Sequence, residues 1–263
     1  MDDVIITTAS RQQIDLEPVA REIATEWNIP YVKRKKHSVQ SFNSRYNVDN
    51  VLVLDHQKNI IWHNQHGAIK YHPGMALIRI KRLISGNNDS MIDLLDIKDD
   101  SIILDCTLGL ASDAIVAQYV AKEGQVIGLE AERLLALFIK RGLTVYDEDI
   151  DSQIKQAMTK IKVIHMNYNE YLQQAPDKSF DIVYFDPMFR DGISLSPNMQ
   201  MIKTRCCNDA IPIETIEQAV RVARKKVVLK ETTYSNEFKR LGFKQIIRPN
   251  SSFTYGIIDV EGC

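Results

Sequence analysis

The stretch Ser101-Ile-Ile-Leu-Asp-Cys-Thr-Leu-Gly-Leu-Ala-Ser-Asp113 predicts a buried strand, a tight turn and the start of a helix. Its residues 102–104 are apolar on both faces, as is typical of a central parallel strand. Asp105 follows at the carboxyl end of that strand, and Gly109 allows the backbone to turn sharply and approach a ligand. A helical apolar pattern continues to about residue 122. This order indicates a strand–turn–helix unit of an α/β sheet.

A second short strand over 125–130 ends in an acid, Glu130. An acid about 20 residues after a glycine turn is placed to accept hydrogen bonds from two ribose hydroxyls. The turn has one glycine, Gly109, where a pyrophosphate-binding loop uses three. A nucleoside with a short zwitterionic tail therefore fits better than a dinucleotide, and S-adenosylmethionine (SAM) is such a molecule. The spacing resembles the first two motifs of Rossmann-like class I methyltransferases.

Two further strands are predicted over 162–167 and 181–185. The first ends in Asn167, next to Tyr168, and the second leads into Asp186. Ligands of open α/β sheets bind beyond the carboxyl ends of the strands. Four polar side chains are expected at this edge: Asp105, Glu130, Asn167 and Asp186. Taken singly, Asp113 and Glu130 also suit a structural role, as acids near the amino end of a helix.

The tetrapeptide Asp186-Pro-Met-Phe189 resembles the Asp/Asn-Pro-Pro-aromatic signature of methyltransferases that act on exocyclic amino groups. A carboxylate and a nearby backbone carbonyl can accept the two N–H bonds of such an amine. Pro187 restricts the backbone and holds the turn rigid. The ring of Phe189 offers a face on which a flipped-out base can stack. We therefore expect Asp186, Pro187 and Phe189 to be the catalytic residues.

The chain has 263 residues, enough for a sizeable core, and carries 33 Lys plus Arg against 34 Asp plus Glu. This balance gives no global attraction to nucleic acid, so any such binding must come from local patches. The sequence has no apolar run of transmembrane length, and no secretory leader is expected. Its four cysteines fit neither a disulfide framework nor a zinc site. A cytoplasmic location without membrane contact is expected.

Three segments are predicted along the α/β chain. Residues 1–68 are expected to form a small α/β domain, with strands at 4–8, 30–33, 51–54 and 60–62 and a helix at 16–27. Residues 69–100 are expected to supply connecting helices. Residues 101–263 are expected to form the larger sheet. The end of this segment predicts a helix at 213–223, a strand at 225–230 and an antiparallel pair at 243–247 and 253–259.

Several basic residues are candidates for substrate binding. The densest run is Lys33-Arg34-Lys35-Lys36, and it suits either a phosphate backbone or a solvated strand end. Arg79 and Arg82 lie three residues apart and are expected to share a helix face. Arg190 follows the tetrapeptide. His63 and His66 lack a third ligand at a suitable spacing, so no metal site is predicted.

With these motifs together, the chain resembles the bacterial small-subunit ribosomal RNA guanine methyltransferase family (methyltransferase J), and more closely its Gram-positive relatives. The resemblance covers about 69–258 and lies in segments 104–114, 129–130, 164–165, 183–189 and 226–230. It implies SAM as cofactor. The cofactor contacts would come from Asp105, Thr107, Gly109, Ser112, Asp113, Glu130, Ala131, Asn167, Tyr168 and Asp186. The chain departs from the family pattern at Ser112, Ala131, Asn167, Tyr168 and Arg190.

The expected function is methyl transfer from SAM to the exocyclic amine of a nucleic-acid base, with guanine in ribosomal RNA as the main candidate. The expected partner is RNA, either ribosomal RNA or the small ribosomal subunit. Two alternatives stay open: a methyltransferase for a protein or small-molecule acceptor, and a non-catalytic RNA-binding assembly factor. The oligomeric state is also open, a homodimer included.

Overall fold

The structure is a computed structural model that describes residues 3–10, 13–146, 149–187, 210–248 and 251–260. The described chain divides into two compact units, one formed by residues up to His72 together with 144–146 and the other by the remaining described residues. Each unit has its own sheet, one of four strands and one of seven. The α/β class predicted from the sequence is confirmed.

The first unit contains a sheet of four strands in the order β1-β2-β3-β4. These strands and two helices are β1 (Val4–Thr8), α1 (Gln13–Glu26), α2 (Val39–Tyr46), β2 (Asn50–Leu54), β3 (Ile60–Asn64) and β4 (Gly67–Lys70). Strands β1 and β2 are parallel, whereas β3 and β4 add antiparallel neighbours. Helix α1 buries an apolar stripe of Leu16, Ala20 and Ile23, which are at most 4% exposed, as is Trp27 just after the helix. Burial of this stripe anchors α1 within the unit.

The prediction of a strand at 30–33 is wrong. Only Tyr31 pairs there, in an isolated parallel bridge to Ile6 of β1. Two hydrogen bonds form this bridge: the Ile6 N–H donates to the Pro30 carbonyl and the Val32 N–H donates to the Ile6 carbonyl, both at 2.9 Å. Pro30 has no N–H group to donate, so a continuous ladder cannot begin there. The structure also shows α2 and β4, which the sequence patterns did not predict.

The second unit alternates strands and helices. Its elements are α3 (Met75–Ile84), α4 (Ser90–Leu95), β5 (Ile102–Asp105), α5 (Ser112–Val120), β6 (Gln125–Glu130), α6 (Arg133–Val145), α7 (Ser152–Lys160), β7 (Lys162–His165), α8 (Tyr168–Gln174), β8 (Phe180–Phe185), α9 (Ile213–Val222), β9 (Ala223–Thr232), α10 (Glu237–Arg240), β10 (Lys244–Gln245) and β11 (Phe253–Asp259). Strand β7 ends two residues earlier than predicted, because Asn167 caps α8 instead of extending the strand.

The seven strands have the order β10-β11-β9-β8-β5-β6-β7. The five from β9 to β7 are parallel, and β11 and β10 are antiparallel additions. The predicted antiparallel pair at the end of the chain is therefore confirmed. Chain order reverses on either side of β5, which creates a crevice beyond the carboxyl ends of β5 and its neighbours. That crevice is the expected ligand site of such a sheet.

Strands β5 and β8 lie in the middle of this sheet, and their side chains are largely buried. Val183 and Phe185 of β8 pack into a core with Leu129 of β6 and with Val227 and Leu229 of β9. Such packing fixes the positions of the strand ends to which the polar residues are attached. No helix of the described residues is long and apolar enough to cross a lipid bilayer.

Candidate active site

Parallel pairing brings the carboxyl ends of four strands to one edge of the larger sheet. Asp105, the last residue of β5, is in register with Tyr184 of β8 and with Gly128 of β6. Glu130 ends β6 and Asp186 directly follows β8. Asn167 lies two residues beyond the end of β7. The four polar residues predicted at this edge all lie along it.

The turn after β5 is tied to both neighbouring strands. Asp105 Oδ1 accepts the Thr107 N–H at 3.0 Å, and Thr107 Oγ1 accepts the Asp186 N–H at 2.6 Å. The Leu108 N–H donates to the Leu129 carbonyl at 3.0 Å. Gly109 has a φ of 48°, in the left-handed region that suits glycine. A single short turn thus fixes the relative positions of three strand ends.

Glu130 is 8% exposed, and its Oε1 accepts the Glu132 N–H at 2.9 Å. Burial raises the pKa of Glu130 to about 7, although the hydrogen bond from the Glu132 backbone N–H opposes the shift. The side chain is therefore held in place by the backbone just before α6. A fixed acidic acceptor at the end of the second strand can bind a pair of ribose hydroxyls.

Asn167 is the N-cap of α8, and its Oδ1 accepts the Asn169 N–H at 2.8 Å. The ring of Tyr168 meets the ring of Phe185 edge-on, with centroids 5.8 Å apart. Ser112 is half-buried at the start of α5, whereas Ala131 is exposed after β6. These residues border the same sheet edge as Asp105 and Glu130.

An ion network, which the sequence did not reveal, lies beside this edge. Lys230 of β9 donates to Asp113 Oδ2 at 3.0 Å and to Asp186 Oδ2 at 2.6 Å. The Tyr184 hydroxyl donates to Asp113 Oδ2 at 2.8 Å, and Arg79 pairs with Asp113 Oδ1. The side chains of Arg79, Asp113 and Lys230 are 13–17% exposed. Asp113 is therefore an acceptor between two cations and not a helix-capping acid.

The buried acids at this edge of the sheet differ in their pKa values. Burial raises the pKa of Asp186 to about 6, although the Lys230 ammonium opposes the shift. Burial acts in the same direction on Asp113, but Lys230 and Arg79 hold its pKa well below the usual range. Burial also raises the pKa of Asp105 to about 8. Burial therefore favours the protonated forms of Asp186 and Asp105, whereas the two cations keep Asp113 ionised.

Asp186 has one bound and one available oxygen. Oδ2 is held by Lys230, whereas Oδ1 has no hydrogen-bond partner among the described residues. The side chain is 27% exposed, so the carboxylate as a whole keeps some access for an incoming donor. Pro187 follows and is half-buried. Phe189 and Arg190, predicted to act beside Asp186, lie outside the described residues.

The predicted basic residues have different environments. Lys33 is exposed and pairs with Glu17 at 3.1 Å, whereas Arg34 donates to the Thr8 and His37 carbonyls. Lys35 and Lys36 are exposed. Arg79 and Arg82 both lie in α3, three residues apart as predicted, but their environments differ.

Arg82 is exposed, but Arg79 is turned inward, where Asp89 accepts two of its N–H groups at 2.7 and 2.8 Å. Arg79 also pairs with Asp113 in the ion network. Its donors are therefore committed to protein carboxylates, which the helical spacing alone could not reveal.

His63 lies in β3, and burial and the nearby Arg34 lower its pKa. His66 is exposed in the turn that follows. No group of three or more His, Cys, Asp or Glu side chains that could hold a metal ion occurs in the described part of the chain. Cys106 is buried as a free thiol, and burial raises its pKa well above the ordinary value.

Residues 33–249 match the model of a protein family described as "Putative SAM-dependent methyltransferase". The Bacillus subtilis protein described as "Uncharacterized protein YpiP" is 33% identical over 258 residues, which cover 98% of this chain and 100% of that protein. "Ribosomal RNA small subunit methyltransferase J" of Thioalkalivibrio sulfidiphilus is 30% identical over 155 residues. That match covers 56% of this chain and 58% of the relative.

Among solved structures, the SAM-dependent methyltransferase NGO1261 from Neisseria gonorrhoeae has a similar fold. Its TM-score is 0.62 at 14% sequence identity, and the alignment covers 98% of this chain and 97% of that one. Because the identity is so low, this similarity concerns the fold alone. It agrees with the two sheets described above.

Proposed function

We propose that this chain, which belongs to the SAM-dependent methyltransferase family, acts on nucleic acid. In this proposal the protein methylates the exocyclic amine of a base, and the target base is guanine in ribosomal RNA. The observation that carries this proposal is the available Oδ1 of Asp186, on a carboxylate whose other oxygen is held by Lys230. An acceptor fixed in this way suits an amine N–H donor.

The residues at the sheet edge fit SAM in their chemistry. Glu130 offers a buried carboxylate for the ribose hydroxyls. At Gly109 an added Cβ would meet only the Thr107 carbonyl, 3.9 Å away, so the turn leaves room for a ligand close to its backbone. We assign cofactor binding to these two residues and to Asp105, Thr107, Ser112, Asp113, Ala131, Asn167, Tyr168 and Asp186. When bound, SAM supplies an electrophilic methyl group.

The protein's contribution to transfer is orientation, which accounts for a large share of the rate of such reactions. Asp186 Oδ1 and the carbonyl of Pro187 accept the two N–H bonds, and the nitrogen lone pair then points toward the methyl group. Phe189 stacks on the base. The amine held by Asp186 and Pro187 would be the nucleophile, and SAM would supply the methyl group, its sulfur keeping the electrons of the bond that breaks. The extra N–H proton leaves the product afterwards, so no strong base is required.

Ribosomal RNA as the substrate is supported by relatives named ribosomal RNA small subunit methyltransferase J. The match to one of them covers about half of this chain. The exposed cations Lys35, Lys36 and Arg82 suit a phosphate backbone, together with Lys33, Arg34 and Arg190. The partner proposed on this basis is ribosomal RNA or the small ribosomal subunit. A cytoplasmic location follows from that partner.

The direct experiment uses tritiated SAM and total RNA from cells that lack the gene. Digestion of the RNA should give labelled 2-methylguanosine, because the proposed acceptor is the guanine amine. Label in a different base would change the proposed target base but would still support methylation of a nucleic-acid base. The absence of label from every RNA, with SAM binding shown by calorimetry, would refute the nucleic-acid substrate and favour a protein or small-molecule acceptor.

Glu130→Gln should weaken SAM binding roughly 10- to 100-fold, since hydrogen bonds to a charged acceptor contribute about 1.5–3 kcal/mol. Wild-type affinity should also fall as the pH decreases below about 7, because the carboxylate then becomes protonated. The glutamine variant should lack that pH dependence. Calorimetry between pH 5.5 and 8.5 measures both effects.

The matched control is Glu123→Gln, which changes an exposed acid just before β6. Equal affinities for wild type and Glu130→Gln would remove Glu130 from the cofactor site.

A further inference from the structure

Arg248, which follows β10, lies against two aromatic rings of β11. Its Cζ is 5.5 Å from the centroid of Phe253 and 5.6 Å from that of Tyr255. Its Nη1 is buried and has no hydrogen-bond partner among the described residues. The two rings lie on one face of β11, because side chains two residues apart in a strand share a face. This pair of rings holds the guanidinium in place.

The environment of Arg248 differs from that of the neighbouring cation. Lys230 donates to the carboxylates of Asp113 and Asp186. Arg248 makes no ion pair with a described residue, and an aromatic face attracts a cation without offering an oxygen to its N–H groups. A guanidinium has several donors in a planar fork, which matches a phosphate group in a bidentate manner. The unused donors therefore indicate an anionic ligand.

The position of Arg248 connects it to the proposed reaction centre. Tyr255 is directly opposite Lys230 in the pairing of β9 with β11, and Phe253 is opposite Thr232. The Lys230 ammonium is 5.1 Å from the centroid of the Phe253 ring and 2.6 Å from Asp186 Oδ2. Phe253 therefore contacts both cations. One ring separates the unused guanidinium from the lysine that holds Asp186.

We propose that Arg248, held by Phe253 and Tyr255, binds a phosphate group of the nucleotide whose base is methylated. This inference rests on the proposed function, since it requires a nucleotide substrate with its base at Asp186. In a nucleotide, one sugar lies between the base and the phosphate. In the site, Lys230 and the ring of Phe253 lie between Asp186 and Arg248. The ligand recognised is thus a phosphate within a nucleic-acid strand, bound next to the target base.

Arg248→Gln tests the assignment with the full-length protein and ribosomal RNA. We expect the KM for RNA to rise about tenfold or more, with kcat at saturating RNA and the Kd for SAM unchanged. The slope of log Kd for RNA against log salt concentration should decrease by about one, as for the loss of a single phosphate contact. Lys244→Gln, an exposed cation of β10 in the same hairpin, is the matched control and should change the slope less.

Small probes separate a phosphate contact from a packing role. Guanosine 5′-monophosphate should compete with RNA better than guanosine does, and this preference should disappear in Arg248→Gln. An unchanged salt slope together with an unchanged probe preference would overturn the inference. So would a loss of kcat and of thermal stability without any change in RNA affinity, since that result assigns Arg248 to packing.

The same assays distinguish this inference from the proposed function. If the wild-type protein labels RNA and Arg248→Gln retains the wild-type KM and salt slope, only the phosphate assignment fails. If the wild-type protein labels no RNA at all, the nucleic-acid substrate itself is refuted, and the inference fails with it.

Discussion

Asp186→Ala should reduce kcat for methyl transfer by at least about 1,000-fold, whereas SAM affinity should fall only a few-fold, because the other residues assigned to the cofactor remain. The variant loses the only side-chain acceptor that we assign to the amine, and the loss of one well-oriented contact at a reacting group costs about 100- to 1,000-fold. Lost orientation of the lone pair adds to that cost. Single-turnover transfer from tritiated SAM measures the rate, and calorimetry measures SAM binding.

Asp186→Asn sharpens this test, because it preserves the size of the side chain. Lys230 donates to Oδ2, so the asparagine should direct its carbonyl oxygen toward Lys230 and its NH₂ group toward the substrate. An NH₂ group cannot accept the amine N–H, and we expect this variant to be almost as slow as the alanine variant. Unchanged turnover in either variant would remove Asp186 from the mechanism. Loss of SAM binding with no separate loss of kcat would make it a cofactor ligand only.

Lys230→Met should lower kcat at pH 7 by about 10- to 100-fold and shift the acid limb of the pH–rate profile toward higher pH. In the wild type, activity should fall below about pH 6, where Asp186 becomes protonated. Lys230 opposes the burial that raises the pKa of Asp186, so its removal raises that pKa further. Without the ammonium, ionised Asp113 also repels a second charge on Asp186. Raising the pH to about 9 should therefore restore part of the lost rate.

The pH profile distinguishes positioning from simple destabilisation. Methionine keeps most of the aliphatic stem, but removal of one partner from a buried ion pair costs about 3–5 kcal/mol of stability. A purely structural defect would lower the rate by the same factor at every pH at which the variant is folded. Lys230→Arg keeps the charge and should keep the wild-type acid limb. Lys226→Met, on the same strand but bonded to the Leu94 carbonyl, is the matched control and should have little effect on the profile.

The order of apolar runs along the chain was sufficient to predict the α/β class, the central strand β5, and the antiparallel pair β10 and β11. Strand ends could also be read, because an apolar run that stops at a polar residue marks the carboxyl end of a buried strand. Parallel strands place these ends at one edge of the sheet, so the sequence was enough to group Asp105, Glu130, Asn167 and Asp186 there.

Tertiary structure alone decided the electrostatic state of this edge. Asp113 meets Arg79 from 34 positions earlier and Lys230 from 117 positions later, and no local pattern encodes such contacts. Helical spacing predicted that Arg79 and Arg82 share a helix face, but it could not show that Asp89 and Asp113 both pair with Arg79. Likewise, the distant pairing of β9 with β11 brings the rings that hold Arg248 next to Lys230. Local sequence therefore determined which residues lie at the strand ends. Long-range packing decided which charges those residues meet, because charge interactions depend on distance in space and not on separation along the chain.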